Sequence, residues 1–104
     1  ISPRLLLEYL KYAYYHADIF QSFYEALPIA GIDGTLKSRM KKSKAYQNVH
    51  AKTGTVTGVS SLAGYAKALN GHQLAFAIIN QNVMKSRQAR TFQDKVCDIL
   101  CTSK

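Results

Sequence analysis

The sequence has few cysteines, prolines and histidines and lacks tryptophan, so disulfides and metal ions have few residues on which to form. Among 104 residues it has two cysteines, two prolines, three histidines and no tryptophan. Cys97 and Cys101 stand at i and i+4 of a predicted helix, a strained geometry for a disulfide and too few ligands for zinc. His16, His50 and His72 are too scattered to complete a metal site. No apolar run approaches the roughly 20 residues that span a bilayer. We expect one small domain held by packing, with no metal and no cofactor.

Acidic residues are also scarce, with six Asp and Glu against fourteen Lys and Arg, a formal charge of +8. Such an excess favours polyanions such as nucleic acid, acidic lipid surfaces or anionic cell-wall polymers. Much of it lies in the segment LKSRMKKSK, Leu36 to Lys44, which has no interleaved aromatic residue. A solvated loop is the simpler interpretation. A small basic module that binds nucleic acid or another polyanion through this segment is an alternative.

The first part of the chain predicts two helices. Ser2 is a natural N-cap with Pro3 at the first helical position, and the apolar residues that follow lie nearly all round the helix. That pattern predicts cover on more than one side. Asp18 is suited to cap a second helix, Ile19 to about Leu27, which the next proline ends. The stretch PIAGIDGT then has the composition of a shaped loop.

From Val49 the pattern changes to a β-like run, and Asn70-Gly71 then predicts a hairpin into a further strand over residues 72–80. Residues 72–80 are apolar on both faces, which predicts a central strand. Residues 85–100 have helical spacing, with a sheet-facing set and an intervening polar set: Ala89, Phe92, Val96, Ile99 and Leu100, then Arg87, Arg90, Gln93 and Asp94. The fold class is therefore α+β, about three antiparallel strands packed with N- and C-terminal helices.

The tripeptide Lys52-Thr53-Gly54 in the β-like run carries the chemistry. On an edge strand, unpaired backbone groups let an extended peptide bind as an added strand, and Gly54 leaves room for its approach. The Lys52 ammonium and the hydroxyls of Thr53 and Thr55 are suited to a terminal carboxylate. The backbone N–H after Gly54 is suited to stabilise an oxyanion. Because strand residues alternate between faces, Lys52 and Thr53 can serve one ligand only at the edge of a cleft.

Lys-Thr-Gly is also the third signature of penicillin-binding proteins and class A β-lactamases. Its flanks, LPIAGIDGTLKSRM and AKTGTVTGVSSLAGYAKALNGHQLAFAIIN, resemble the C-terminal part of the D-alanyl-D-alanine carboxypeptidase/endopeptidase family, the class C penicillin-binding proteins of low molecular mass. The resemblance implies a β-lactamase/transpeptidase-like fold, a periplasmic or envelope location and a serine nucleophile without a metal. The implied partners are a peptidoglycan pentapeptide ending in D-Ala-D-Ala and β-lactam antibiotics, and no nucleic acid is expected.

Residue by residue, the resemblance makes Lys52–Gly54 the substrate-binding motif and Thr55 the residue whose N–H contributes to the oxyanion hole. His50 stands where relatives often carry a basic residue and is a candidate for the cleft edge, with a plain surface position as the alternative. Asp33 and Gly34 match a family stretch and are expected to shape a loop.

The family's mechanism needs a serine nucleophile, a lysine one helical turn later and a second serine that relays the proton. Ser38 and Lys41 have the first spacing, but with eight Ser and ten Lys in the chain about one such match arises by chance. Ser38 also lies in the most basic segment, and no Ser-x-Asn occurs. We therefore expect no catalytic residue in this chain, with the nucleophile and its lysine lying upstream.

On that interpretation residues 1–104 are one partial domain, the C-terminal segment of a serine-type carboxypeptidase, and the segment alone is inactive. Its parent carries an upstream signal peptide. Surfaces normally covered by the rest of the enzyme could make the fragment a homodimer or a swapped oligomer. A pseudo-enzyme interaction domain that has lost its nucleophile is a further alternative.

Overall fold

A computed structural model of the chain describes residues 2–56 and 58–104. Its elements in chain order are α1 (Pro3–Tyr14), α2 (Ala17–Ala26), a short 3-10 helix (Gly34–Leu36), β1 (Val49–Val56), β2 (Val59–Lys67), β3 (Gln73–Gln81) and α3 (Ser86–Cys101). The strands form one antiparallel sheet in the order β1-β2-β3. The first two helices pack on one face and α3 packs on the other. The predicted α+β class is confirmed.

The sequence accounts for the helix starts, with one correction. Ser2 caps α1, its Oγ accepting the N–H of Leu5 at 3.1 Å, and the proline that follows opens the first turn. The second helix begins earlier than predicted, at Ala17, with His16 at the N-cap. Asp18 is therefore not the cap. It lies in the first turn, where a negative charge is favourable beside the unpaired N–H groups.

α1 is covered on one side only, although its apolar residues run nearly all round. Leu10 and Ala13 are buried, whereas Tyr9, Tyr12 and the C-cap Tyr15 are 62%, 59% and 78% exposed. The prediction of cover on more than one side is wrong for this chain, because the described elements lie against only one side of the helix. Assembly into a homodimer or swapped oligomer stays a prediction.

β3 is an edge strand of this sheet, and β2 is the central one. The prediction that residues 72–80 form a central strand is therefore wrong here. Their two apolar faces have another cause, since each face meets a different core. Ala75 packs with the aromatic cluster under the first two helices, and Phe76 and Ile78 pack in the core under α3.

The Asn-Gly hairpin signal is confirmed. Residues 68–72 join β2 to β3, and the N–H of Ala68 donates to the carbonyl of His72 at 2.9 Å. The side chain of Asn70 accepts the N–H of His72 at 3.0 Å. Gly71 has a φ of 84°, a left-handed conformation that glycine adopts without strain.

The first two strands lie close together because position 64 has no side chain. Gly64 pairs with Ala51, and a Cβ at position 64 would stand 2.6 Å from the Ala51 Cα. Ordinary contacts between carbon atoms are roughly 3.5–4.0 Å. The glycine therefore fixes the spacing of the strand that bears the Lys-Thr-Gly motif.

The buried face of α3 differs from the predicted one. The buried residues stand at i, i+4 spacing and are Ala89, Gln93, Cys97 and Cys101. Phe92 and Ile99, predicted to face the sheet, are 52% and 65% exposed. Small alanine and cysteine side chains let the helix lie near the sheet, and Gln93 is held there by hydrogen bonds. Both thiols are free, and burial raises the pKa of Cys97 to about 12.

Candidate functional site

The Lys-Thr-Gly motif lies where the outer edge of β1 changes from paired to open. The segment Pro28–Ala30 covers the start of this edge, with the Ala30 N–H donating to the Val49 carbonyl and the Ala51 N–H donating to the Pro28 carbonyl, both at 2.9 Å. Beyond Ala51, no backbone group among residues 2–56 and 58–104 bonds to the outer edge of this strand. The open part begins at Lys52 and includes the whole motif.

Strand alternation shows which backbone groups face that open edge. The N–H of Ala51 points outward, to Pro28, so the N–H and C=O groups of Thr53 and Thr55 also point outward. Those of Lys52 and Gly54 point inward, to β2. The N–H after Gly54 is therefore directed to the side from which a ligand would approach.

Lys52 and Thr53 project from opposite faces of the strand, as the alternation requires. The Lys52 ammonium nevertheless reaches the open edge, where its Nζ donates to the Thr53 carbonyl at 2.8 Å. The Thr53 hydroxyl bonds to the hydroxyl of Thr35, on the 3-10 helix, at 3.0 Å. The sequence requires that the strand lie at the edge of a cleft for both side chains to serve one ligand. The structure shows an open sheet edge there, and service to one ligand stays a prediction.

Gly54 has a packing partner that the sequence did not reveal. A Cβ at position 54 would stand 2.6 Å from the Oγ of Ser61, its partner on β2, and that hydroxyl donates to the Gly54 carbonyl at 3.3 Å. Since the contact is with the end of a side chain, it is more easily relieved than a contact with backbone. The absence of a side chain also leaves the α1 side of the motif flat.

A polar cavity of about 390 Å³ lies on the α3 side of the open edge. The cavity is lined by the 3-10 helix and the residues just after it, by β1 and β2, and by α3. Its lining includes Thr35, Ser38, Thr53, Thr55, Ser60 and Arg90. Thr53 and Thr55 are predicted as site residues from the sequence, whereas Thr35, Ser60 and Arg90 are not. Single hydroxyls and one arginine on separate elements carry no motif, so only the fold shows that they converge.

Ser38 lines this cavity, but it does not form a helical Ser-x-x-Lys motif. Met40, between Ser38 and Lys41, has a φ of 63°. A left-handed residue between the two breaks the helical turn that would bring the lysine over the serine. The lysine side chain instead lies beside Gly31. The geometry therefore gives no support to Ser38 as a nucleophile.

The basic segment is not uniformly solvated. Arg39 is 9% exposed and forms an ion pair of 2.6 Å with Asp94 of α3. Lys37, Lys41 and Lys42 are exposed. The interpretation of the whole segment as a solvated loop is therefore wrong at Arg39, whose charge is neutralised inside the fold. The loss of that cation from the surface also weakens the polyanion alternative.

His50 packs on the α2 side of β1. Its ring stacks on Tyr24 with centroids 4.1 Å apart, and its Nδ1 has no hydrogen-bond partner among the described residues. Burial lowers the pKa of His50, and the nearby Asp33 carboxylate opposes that effect. This packing accounts for the residue without a ligand, and its role at a cleft edge stays a prediction.

Asp33 is the N-cap of the 3-10 helix, and Gly34 is its first residue. The Asp33 carboxylate accepts the N–H of Ile29 at 2.7 Å. Gly34 has a φ of 57°, and a Cβ there would stand 3.0 Å from the Cγ of Pro28. These contacts tie the turn to the segment that covers the start of the β1 edge. Their loop-shaping role stays a prediction.

Two kinds of site are not found in the part of the chain that the structure describes. Within residues 2–56 and 58–104, no group of three or more His, Cys, Asp or Glu side chains is arranged to hold a metal ion. Over the same ranges, no helix combines the length and apolar character needed to cross a membrane.

Known proteins show the same sequence pattern. A model of the D-Ala-D-Ala carboxypeptidase 3 (S13) family matches residues 1–102. The D-alanyl-D-alanine carboxypeptidase of an Actinomadura species is 45% identical over 65 residues, 58% of this chain and 12% of that protein. The D-alanyl-D-alanine carboxypeptidase DacB of Haemophilus influenzae is 36% identical over 78 residues, 73% of this chain and 16% of that protein.

A solved structure shows the same fold. The crystal structure of penicillin binding protein 4 (dacB) from Haemophilus influenzae matches with a TM-score of 0.84 at 30% identity, covering 97% of this chain and 24% of that one. The same protein complexed with a β-lactam matches with a TM-score of 0.83 at 30% identity, covering 96% of this chain and 25% of that one. The chain thus spans about a quarter of the solved structure's length.

The architecture is that of the penicillin-binding fold, with the open strand edge at the motif. Within that class, the chain belongs to the D-Ala-D-Ala carboxypeptidase 3 (S13) family. The family resemblance seen in the flanks of Lys52-Thr53-Gly54 is therefore confirmed.

Proposed function

We propose that this chain is the substrate-binding wall of a serine-type D-Ala-D-Ala carboxypeptidase that acts on peptidoglycan stem peptides through an acyl-enzyme. The observation that carries the proposal is the open edge of β1 over Lys52–Thr55, in a chain of this family. The terminal D-Ala-D-Ala of a stem peptide adds to that edge as a short strand, bonding to the outward groups of Thr53 and Thr55.

The terminal carboxylate of the peptide is held by Lys52, Thr53 and Thr55. The Lys52 ammonium already lies at the edge, donating to the neutral carbonyl of Thr53. Exchange of that carbonyl for a carboxylate gives a charge-assisted hydrogen bond, which is stronger. β-Lactam antibiotics carry a carboxylate beside a reactive amide, so the same groups bind them.

In this proposal the outward N–H of Thr55 donates to the oxyanion that forms when the peptide carbonyl is attacked. The attacking serine, its lysine and the relaying serine belong to a preceding part of a longer enzyme of the periplasm or cell envelope, of which residues 1–104 are the C-terminal segment. The chain alone then binds and orients the substrate and does not hydrolyse it.

A chimera tests the proposal. The matching quarter of Haemophilus influenzae penicillin binding protein 4 is replaced by this chain, and the purified chimera is treated with a fluorescent penicillin. We expect covalent labelling, and we expect Lys52→Ala to slow it at least tenfold. A hydrogen bond to a charged group contributes about 1.5–3 kcal/mol, and each 1.4 kcal/mol is roughly a factor of ten. Lys95→Ala, on the exposed side of α3, should label at the original rate.

Circular dichroism and thermal unfolding establish that each variant is folded. A folded Lys52→Ala chimera that is labelled as fast as its parent would overturn the assigned role. A folded chimera that takes no label, beside an unaltered host protein that does, would favour the non-catalytic interaction domain. The isolated chain should take no label, and label attached to Ser38 would contradict the placement of the nucleophile outside this chain.

A further inference from the structure

A buried hydrogen-bond network connects α3 with the wall of the cavity beside β1. Gln93 is fully buried, and its Nε2 donates to Ser60 Oγ at 3.2 Å. The same nitrogen donates to Asn80 Oδ1 at 3.0 Å. On the other side, Arg39 Nη2 donates to Gln93 Oε1 at 3.2 Å. Arg39 is itself fixed by Asp94, to which its Nε and Nη2 donate at 3.0 and 2.6 Å.

The chemistry of Arg39 sets the direction of every hydrogen bond in this network. A guanidinium has donors and no acceptor, so the group of Gln93 that faces it must be the carbonyl oxygen. The amide nitrogen of Gln93 then faces Ser60, and Ser60 Oγ must accept. A hydroxyl that accepts in this way keeps its own hydrogen for another partner. Among residues 2–56 and 58–104, no acceptor takes the hydrogen of Ser60.

Ser60 stands where that free hydrogen is useful. It pairs with Thr55 across the first two strands, and both side chains lie on the α3 face. The backbone groups of Thr55 point outward, so this is a non-hydrogen-bonded pair, the kind in which opposite side chains are closest. Ser60 is 4% exposed and lines the cavity together with Thr53, Thr55 and Arg90.

We propose that Ser60 binds the carboxylate of the substrate and that Gln93, fixed by Arg39, is a positioning residue that keeps the Ser60 hydroxyl a donor toward the cavity. The inference rests on the proposed function of the Lys52–Thr55 edge and extends its ligand set to the central strand. A donor hydroxyl makes a charge-assisted hydrogen bond to an ionised carboxylate and only a weaker neutral one to an ester, so a Ser60 hydroxyl kept as a donor toward the cavity favours the carboxylate. The network therefore contributes to selectivity for the charged end of the substrate.

Two ligands that share the same β-lactam ring and differ only at the carboxylate test the inference. Benzylpenicillin carries the carboxylate, and its methyl ester does not. Their acylation rate constants are measured in the chimera by competition with the fluorescent penicillin, and the ratio of the two gives the selectivity for the carboxylate. We expect Ser60→Ala to lower this ratio about tenfold, the size of one hydrogen bond to a charged group, while the rate with the ester changes little.

Gln93→Glu separates positioning from packing. The new side chain has the same shape and still faces Arg39, but Asn80 must turn its amide to donate to the new oxygen, so the melting temperature is measured to establish that the variant is folded. Its second oxygen accepts a hydrogen bond where the amide nitrogen donated one, so the Ser60 hydrogen turns toward α3 and away from the cavity. We expect the same loss of selectivity as in Ser60→Ala, with Ser22→Ala, exposed on α2, as the matched control that leaves the ratio unchanged.

An unchanged ratio in folded Ser60→Ala and Gln93→Glu would overturn the inference, and so would a chimera that does not distinguish the two ligands. These outcomes are separate from failure of the proposed function. If Lys52→Ala slows acylation while Ser60→Ala and Gln93→Glu leave the ratio unchanged, only the extension to Ser60 fails. If Lys52→Ala has no effect, the proposed function and the extension both fail.

Discussion

Gly64→Ala is expected to destabilise the sheet, because the added methyl group meets the main chain of β1. The new Cβ would overlap the carbonyl oxygen of His50 most closely and would stand 2.6 Å from the Cα of Ala51, about 0.9 Å inside an ordinary carbon contact. Both atoms are main chain and cannot rotate away, so β1 must move outward. Overpacking of a well-packed interior costs about 1–3 kcal/mol and occasionally more, and a backbone contact belongs at the upper end. We expect a loss of about 3 kcal/mol in the free energy of unfolding.

Urea unfolding of the chimera measures this loss, and penicillin labelling reports the displacement of the motif that β1 carries. Gly54→Ala is the control, because its Cβ meets only the end of a side chain, the Ser61 hydroxyl at 2.6 Å. We expect its stability cost to be under about 1 kcal/mol, since the hydroxyl can turn aside, and to be relieved in combination with Ser61→Ala. Equal costs for Gly64→Ala and Gly54→Ala would refute the reasoning that a main-chain contact limits the strand spacing.

Two further predictions follow from buried titratable groups. Burial lowers the pKa of His50 below 6.5 in the folded chain. As the pH falls, the unfolded chain therefore binds a proton at His50 at a higher pH than the folded chain does. The contribution of His50 to the free energy of unfolding should be complete above about pH 6.5 and decrease below it. His50→Phe should flatten this decline in urea unfolding between about pH 5 and pH 7.5, and an unaltered slope would exclude His50 as its source. Burial raises the pKa of Cys97 to about 12, so at about pH 8 this thiol should react with iodoacetamide only after denaturation. Alkylation of Cys97 in the folded protein, mapped by mass spectrometry, would show that α3 opens.

Local patterns predicted the parts of the fold that depend on near neighbours in sequence. The Ser2 cap needs only the N–H of Leu5, and the hairpin at Asn70-Gly71 needs only its own five-residue turn. These features follow from backbone chemistry that a short segment contains. The alternation of Lys52 and Thr53 between the faces of β1 belongs to the same category, whereas the open edge depends on the strand order and on the distant segment Pro28–Ala30.

The errors arise where a side chain meets a distant part of the chain. Gln93 was assigned to the polar side of α3, yet it is buried because Arg39, Ser60 and Asn80 satisfy its amide. Hydropathy alone cannot reveal such compensation, since it depends on four separate segments meeting. Phe92 is exposed for the related reason that smaller residues occupy the sheet side of the helix.

The half-covered edge of β1 has a consequence for the shape of the ligand. Pro28–Ala30 is hydrogen-bonded to the edge of β1 up to Ala51. A strand added along the open part, from Val56 toward Lys52, therefore meets this segment beyond Lys52. A chain threaded through would have to displace that segment, whereas a chain that ends there would not. The open edge is therefore closed at one end, and we expect it to accept the end of a peptide more readily than the middle of one.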